Sequence, residues 1–410
     1  MFLLVFVHGY NLNETYLQPF STVREPLNFT TFTEYFLSNG IFRFRIPMLF
    51  MISGYLYALN DIQPTLQRMK KRFRTLLIPY LIWSAVGLGI TLLWQQFPIT
   101  AQAVRDAQLD QMGDNRLYVE IGWGGMLTRW LFSPVSFQLW FIRVLLIYNA
   151  FYPILRWMVT RIPIPWFIIT GLLWFGTAGF YFAEGEGLFF FSFGIWVCKQ
   201  NKFLITPPKW MNVARMWVIF IGLSLLKTGL AFYLQPSGIT FLLLSFLHKA
   251  VVFSGLISMW YGADGLVRFC MEKKWFLWLS SFSFIIYALH VPLVNYCTRL
   301  LFRYLNYIPE YRLLSYFLLP MIIITACIFI GWLMRTFMPR VYSITTGGRG
   351  LNQHSLKLTG QQENDWCIRL HQQDSRCKYK DECRDFQREV GIVITFDQIW
   401  SILINIDQIW

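Results

Sequence analysis

Ten stretches of this chain are apolar enough to lie in lipid, and polar loops separate them: residues 1–12, 41–59, 75–96, 137–156, 164–183, 187–199, 215–234, 246–266, 275–299 and 314–335. Most approach the ~20 residues with which a helix crosses a ~30 Å hydrocarbon core. No water reaches that depth to satisfy backbone N–H and C=O groups, so each stretch must close its own hydrogen bonds as a helix. The pattern predicts an all-α, polytopic membrane bundle of about ten transmembrane helices. The first stretch, MFLLVFVHGYNL, covers only ~18 Å at 1.5 Å per residue, too little for a complete span. It has neither the basic start nor the small-residue cleavage site of a signal peptide. The expectation is a truncated first helix and a natural chain that begins upstream of Met1.

Composition agrees with the pattern. The 410 residues are 55% hydrophobic and only 14% charged, where a soluble domain carries about 25% charged residues. A formal charge of +14 resembles a nucleic-acid signal until the cations are placed, because basic loops beside membrane spans report topology. One set of loops holds 17 cations: Arg68, Lys70, Lys71, Arg72, Arg74, Arg156, Arg161, Lys199, Lys202, Lys209, Arg215, Arg268, Lys273, Lys274, Arg335, Arg340 and Arg349. The intervening set holds 8: Arg24, Arg105, Arg116, Arg129, Lys249, Arg299, Arg303 and Arg312. The positive-inside rule then puts both termini in the cytoplasm and the loops 13–40 and 97–136 outside. The bilayer is the expected partner, and nucleic acid is not.

Four cations are left at membrane depth or its edge: Arg43, Arg45, Arg143 and Lys227. A charge there costs several kcal/mol unless it is paired or faces a wet cavity, so it marks a functional position. Depth follows from helical rise. His8 lies just below the outer face, Arg45 about one turn into its segment, and Arg143 two turns into another. His290 lies some 15 residues above Lys273 and Lys274, roughly 23 Å at that rise. Four polar residues from four spans in one leaflet predict a lined cavity. Each has a plainer account. His8 is also an interfacial histidine, Arg45 and Arg143 can snorkel, and His290 precedes Val291-Pro292 and can donate to a carbonyl that the proline frees.

The chemistry such a cavity supports is proton abstraction by a neutral imidazole with an arginine stabilising the developing negative charge. No HExxH or acidic ligand pair points to a metal, and no phosphate-cradling glycine loop points to a nucleotide. Ser53-Gly54-Tyr55 reads first as a close helix contact and not as a nucleophile, since no GxSxG elbow surrounds Ser53. Glu184 and Glu186, in an outer turn, are possible acidic partners for a histidine or arginine. Cys198, Cys270, Cys297 and Cys327 lie in or beside apolar segments. Residues 352–410 change character, with seven Lys/Arg against nine Asp/Glu and an FDQIW that returns as IDQIW. They form a separate polar C-terminal tail of unassigned role. Its Cys367, Cys377, Cys383 and His371 lack zinc-like spacing.

RIPMLFMISGYL (45–56), RMKKRFRTLLIPYLIW (68–83), LWFIRVLLIY (139–148), FFFSFGIW (189–196) and SFSFIIYALHVPL (281–293) resemble, in order, the blocks of the membrane-bound acyltransferase type 3 family, which includes O-antigen and exopolysaccharide O-acetylases. The match covers residues 1–351, and TTGGRG at 345–350 is similar to the close of many bacterial members. The resemblance implies a bacterial inner-membrane enzyme with no bound cofactor. It would move an acyl group, commonly acetyl, from cytoplasmic acetyl-CoA or another acyl-CoA onto a hydroxyl of a cell-envelope or exported glycan. It makes His8 the catalytic histidine; the family's preceding arginine would fall upstream of Met1. It places Arg45, Ser53 and Tyr55 along the acyl-donor route, and it matches Trp140 and Arg143 to the Trp-Phe-x-Arg block and His290 to the late histidine. Arg68, Lys70, Lys71, Arg72 and Arg74 would collect the phosphates of coenzyme A. The rival is a non-enzymatic transporter of a glycan or lipid, against which the lack of an internal repeat counts.

Overall fold

The structure is a computed structural model that describes residues 1–10, 18–61, 63–110, 112–114, 116–177, 179–180, 183–200, 207–208 and 210–350. The tail, its cysteines and His371 lie outside the described residues. Apolar composition and helix-competent sequence give helices throughout. They are α1 (Phe2–Gly9), α2 (Phe29–Tyr35), α3 (Arg45–Leu59), α4 (Thr65–Arg72), α5 (Ile78–Trp94), α6 (Pro98–Ala107), α7 (Gly122–Leu131), α8 (Trp140–Ala150), α9 (Tyr152–Arg161) and α10 (Pro163–Phe175). A ribbon of two two-residue strands, β1 (Gly179–Phe180) and β2 (Ala183–Glu184), follows. Then come α11 (Gly185–Lys199), α12 (Val213–Tyr233), α13 (Gly238–Gly262), α14 (Asp264–Met271), α15 (Lys274–Ser280), α16 (Ser283–Tyr304), α17 (Tyr311–Phe337) and α18 (Pro339–Thr346).

The protein is an all-α, multi-pass membrane bundle in which each expected apolar stretch carries helix among the described residues, although 246–266 and 275–299 are each divided between two helices and ten separate spans are not shown. Among the described residues five helical stretches are long and apolar enough to cross by themselves, or six if the bent α8–α9 pair is one span: Thr65–Trp94, Val213–Tyr233, Gly238–Gly262, Ser283–Tyr304 and Tyr311–Phe337 are the five. The stretch expected at 137–156 is broken, because α8 and α9 meet at a 68° bend. Pro153, in the first turn of α9, has no N–H to continue the ladder of α8. The stretch expected to reach 183 ends at Phe175. The stretch expected from 246 begins instead at Gly238, where the Ser237 side chain accepts from the Thr240 N–H and caps the helix. Lys249, counted above among loop cations, therefore stands eleven residues into α13, about 16 Å along the helix, and it is buried.

Two packing features place the site. Helix α3 lies along α11, where a Cβ at Gly54 would overlap the Phe191 carbonyl and one at Gly194 would overlap the Met51 carbonyl. Small residues let the two backbones approach closely. Gly54 is therefore a packing element, and Ser53 beside it is buried. The short α1 packs against both α16 and α17. Ahead of α3 the backbone is irregular, with a π-turn at Phe36–Gly40 and a 3-10 turn at Ile41–Phe44. Such turns change the azimuth of the following side chains, and here they deliver Arg43 and Arg45 to the wall of a cavity.

Candidate active site

A cavity of about 700 Å³ opens among α1, α3, α8, α11, α13 and α16. His8, Arg45 and Trp140 line it, as the sequence predicts, and so do Phe137, Gln138, Tyr287 and Asn295. Its far wall carries Arg43, Trp174, Glu184, Glu186, His248 and Lys249. Gln108, Leu109 and Thr177, from the loops after α6 and α10, also border it. The cavity therefore belongs to the end of the bundle where those loops lie.

The two histidines meet. The rings of His8 and His290 are 5.4 Å apart at 30°, and Phe137 stands edge-on to His8 at 4.8 Å. His290 is fully buried, and its Nδ1 lies 2.8 Å from the Ile286 carbonyl oxygen. A carbonyl accepts only, so Nδ1 carries the proton and Nε2 keeps its lone pair. That Nε2 is buried without a hydrogen-bond partner. The break in α16 at Val291 explains the local arrangement. Pro292 cannot bond to the Ala288 carbonyl. Gln138 Nε2 instead donates to Ala288 O at 3.1 Å and to Tyr287 O at 3.2 Å, while Ser136 Oγ donates to Val291 O at 3.0 Å. Residues 136 and 138 thus take over the carbonyls of the kink, and His290 is held by Ile286 O on the preceding turn.

Arg45 Nη1 donates to Phe42 O at 2.8 Å, which ties the guanidinium to the 3-10 turn at the mouth of α3. The other predicted residues are placed elsewhere. Arg143 donates to the Phe132 carbonyl and does not line the cavity. Ser53 and Tyr55 also stand outside its lining. Trp140 belongs to it, with its ring 6.0 Å from Phe50.

The basic cluster sits at the opposite end. Arg68 is buried, pairs with Asp61 at 3.1 Å and lies over the rings of Tyr57 and Tyr152 at 4.7 and 4.9 Å. Arg72 is buried over Tyr57 at 5.1 Å. Lys70 and Arg74 are exposed, and Lys71 is half-buried. Among the described residues no group of three His, Cys, Asp or Glu side chains is arranged to hold a metal.

Of the far wall, sequence reasoning singled out Arg43, Glu184 and Glu186, and it missed His248, Trp174 and the depth of Lys249. His248 and Lys249 sit side by side in an apolar run, FLHKAVVF, and the argument that singled out Arg45 applies to them once α13 is known to start at Gly238. Trp174 has no such signal. Its Nε1 donates to Glu186 Oε2 at 3.0 Å, which brings α10 and α11 together at the cavity.

Fold and site together define a multi-pass membrane protein whose cavity pairs imidazoles with arginines, a constellation suited to acid–base and oxyanion chemistry. The chain belongs to the type 3 acyltransferase family: the family described as "Acyltransferase domain" matches residues 1–336. It is 25% identical over 321 residues to the succinoglycan biosynthesis protein ExoH of Rhizobium meliloti (strain 1021), a match covering 77% of this chain and 81% of that protein. No solved structure matches.

Proposed function

We propose that this protein transfers an acyl group, acetyl in the simplest case, from acyl-CoA to a hydroxyl of an exported or cell-envelope polysaccharide. The observation that carries this reading is His8 on the cavity wall, backed by the fully buried His290, which does not itself line the cavity, in a chain of acyltransferase family. The name of the Rhizobium relative, a succinoglycan biosynthesis protein, supports a polysaccharide acceptor. Family membership also favours the transferase over the transporter.

In this reading His8 takes the proton of the acceptor hydroxyl as its oxygen attacks the thioester carbonyl. The C–S bond breaks, the coenzyme A thiolate leaves, and the proton held on His8 is passed to it or to water. Arg45, which lines the same cavity, would stabilise the oxyanion of the tetrahedral intermediate. His290, with Nδ1 engaged by Ile286 O, offers only a lone pair, so it orients the hydroxyl or the His8 ring and gives up no proton. Of the cations expected to meet coenzyme A phosphates, exposed Lys70 and Arg74 and half-buried Lys71 suit that role; Arg68 is occupied by Asp61. The positive-inside asymmetry supports a cytoplasmic donor end and an outer acceptor end in the inner membrane.

The test is to express wild type and His8→Ala in cells lacking the native gene and to measure ester-linked acyl groups on their exopolysaccharide by NMR. Loss of a general base costs about 100-fold or more. The alanine variant should therefore leave the polysaccharide unmodified, while the protein reaches the membrane and unfolds at the wild-type temperature. Normal acylation by the variant sinks the assignment of His8.

A further inference from the structure

The far wall of the cavity and the helix behind it hold basic groups that the proton transfer at His8 does not use. Lys227, on α12, is fully buried, and its Nζ donates to the Asn39 carbonyl at 2.6 Å. That carbonyl belongs to the π-turn ahead of α3. The same Nζ lies 3.4 Å from His248 Nδ1. Arg43 donates to Asn39 Oδ1, and Asn39 Nδ2 donates to the Tyr10 hydroxyl at 3.0 Å. Arg43 Nε is buried with no hydrogen-bond partner. Among the described residues no carboxylate lies within ion-pair distance of Arg43, Lys227 or Lys249. Holding such groups inside a bilayer protein is costly unless a ligand or a wet cavity compensates.

The geometry fixes how they present themselves. With Lys227 Nζ donating to both the Asn39 carbonyl and His248 Nδ1, the neutral ring of His248 carries its proton on Nε2. In that arrangement His248 meets the cavity as a hydrogen-bond donor beside Arg43. Lys249 stands on the same wall with its Nζ 5.4 Å from the Trp174 ring centre. Glu184 and Glu186 line this region too and attract Lys249.

We propose that Arg43 and His248, with Lys227 behind them, form a subsite for a carboxylate carried by the substrate. The carboxylate belongs either to an acidic sugar of the acceptor or to the free end of a dicarboxylic acyl group. The subsite rests on the acyl-transfer reading only for its purpose. Its binding is independent of turnover.

The full chain in lipid nanodiscs can be titrated with glucuronate, glucose and glucose 1-phosphate, and separately with glutaryl-CoA and acetyl-CoA, following the thermal unfolding midpoint. One anionic probe should bind about tenfold more tightly than its neutral counterpart, the scale of one charge-assisted contact. Preference for glucuronate assigns the carboxylate to the acceptor, and preference for glutaryl-CoA assigns it to the acyl group. Arg43→Gln should erase the preference, Arg43→Lys should retain part of it, and neither should change the unliganded midpoint. Equal binding within both pairs, no saturation by any probe, a preference that survives in both Arg43→Gln and Lys227→Met, or tighter binding of glucose 1-phosphate than of glucuronate overturns the proposal. A protein that keeps the preference yet transfers no acyl group would remove the transferase reading and leave the subsite standing.

Discussion

Around Asp61 three cations from three helices converge on one carboxylate: Arg68 of α4 at 3.1 Å, Arg156 of α9 at 3.0 Å, and Lys199 at the end of α11. Arg68 is also stacked on two tyrosine rings and donates to the Tyr57 carbonyl at 3.2 Å. Near the cavity at the other end, Arg43 meets the Asn39 side chain, Lys227 meets a carbonyl, an imidazole and the Tyr35 ring at 5.5 Å, and among the described residues the Nε2 atom of His290 has no hydrogen-bond partner. The same types of side chain are thus closed off by an ion-pair hub at one end and, among the described residues, left without a carboxylate at or behind a cavity wall at the other. A charge that already has its counter-ion holds helices together, whereas a charge that lacks one is available to a substrate.

Asp61→Asn is the largest stability perturbation this contrast implies. Breaking a buried pair by removing one partner costs about 3–5 kcal/mol. The variant should unfold at a clearly lower temperature in detergent, while its folded fraction keeps most of its acyl transfer. An unchanged midpoint would show that the hub is not a structural lock. His290→Asn sharpens the other side. Acyl transfer should fall by about 10- to 100-fold, and stability should change by no more than about 1 kcal/mol, the worth of one hydrogen bond. A stability loss as large as that of Asp61→Asn would erase the distinction between the two ends.

The smallest effect is expected at Glu184, on the ribbon at the cavity rim. Burial, followed by repulsion from Glu186, raises its carboxyl from an ordinary 4.5 to about 8 against the opposing pull of Lys249. Between those values the folded protein holds a proton that the unfolded chain has released, so stability falls as pH rises through that window. Glu184→Gln should flatten the dependence of the unfolding midpoint on pH between 4.5 and 8. A slope identical to wild type would mean that Glu184 titrates as an exposed carboxylate.

Much of the fold was legible because lipid imposes a strict rule on the backbone, and apolar length reports compliance with it. The bend at Phe151 was not, although Pro153 was in plain view, because its neighbours on both sides are as apolar as a straight helix requires. The start of α13 was missed for a related reason. Its cap at Ser237 is a local hydrogen bond that leaves no trace in hydropathy, and the error moved Lys249 from the core to a loop. Within the site, His8, Arg45 and Trp140 were placed on the cavity from depth or from family blocks. Arg143 shares that depth and turns away to the Phe132 carbonyl.

By itself, then, the sequence determined that this chain lives in a membrane, that it is helical, that it keeps costly polar groups at depth, and that its blocks are those of an acyltransferase. Hydropathy and rise per residue fix how deep a side chain sits. They do not fix the direction it faces, since rotation of a helix about its axis is set by packing against its neighbours. Only the tertiary structure therefore decided that His8 meets His290, that Gly54 belongs to the α3–α11 contact, and that Arg43 and His248 come from distant parts of the chain to share one wall with Lys227 behind it.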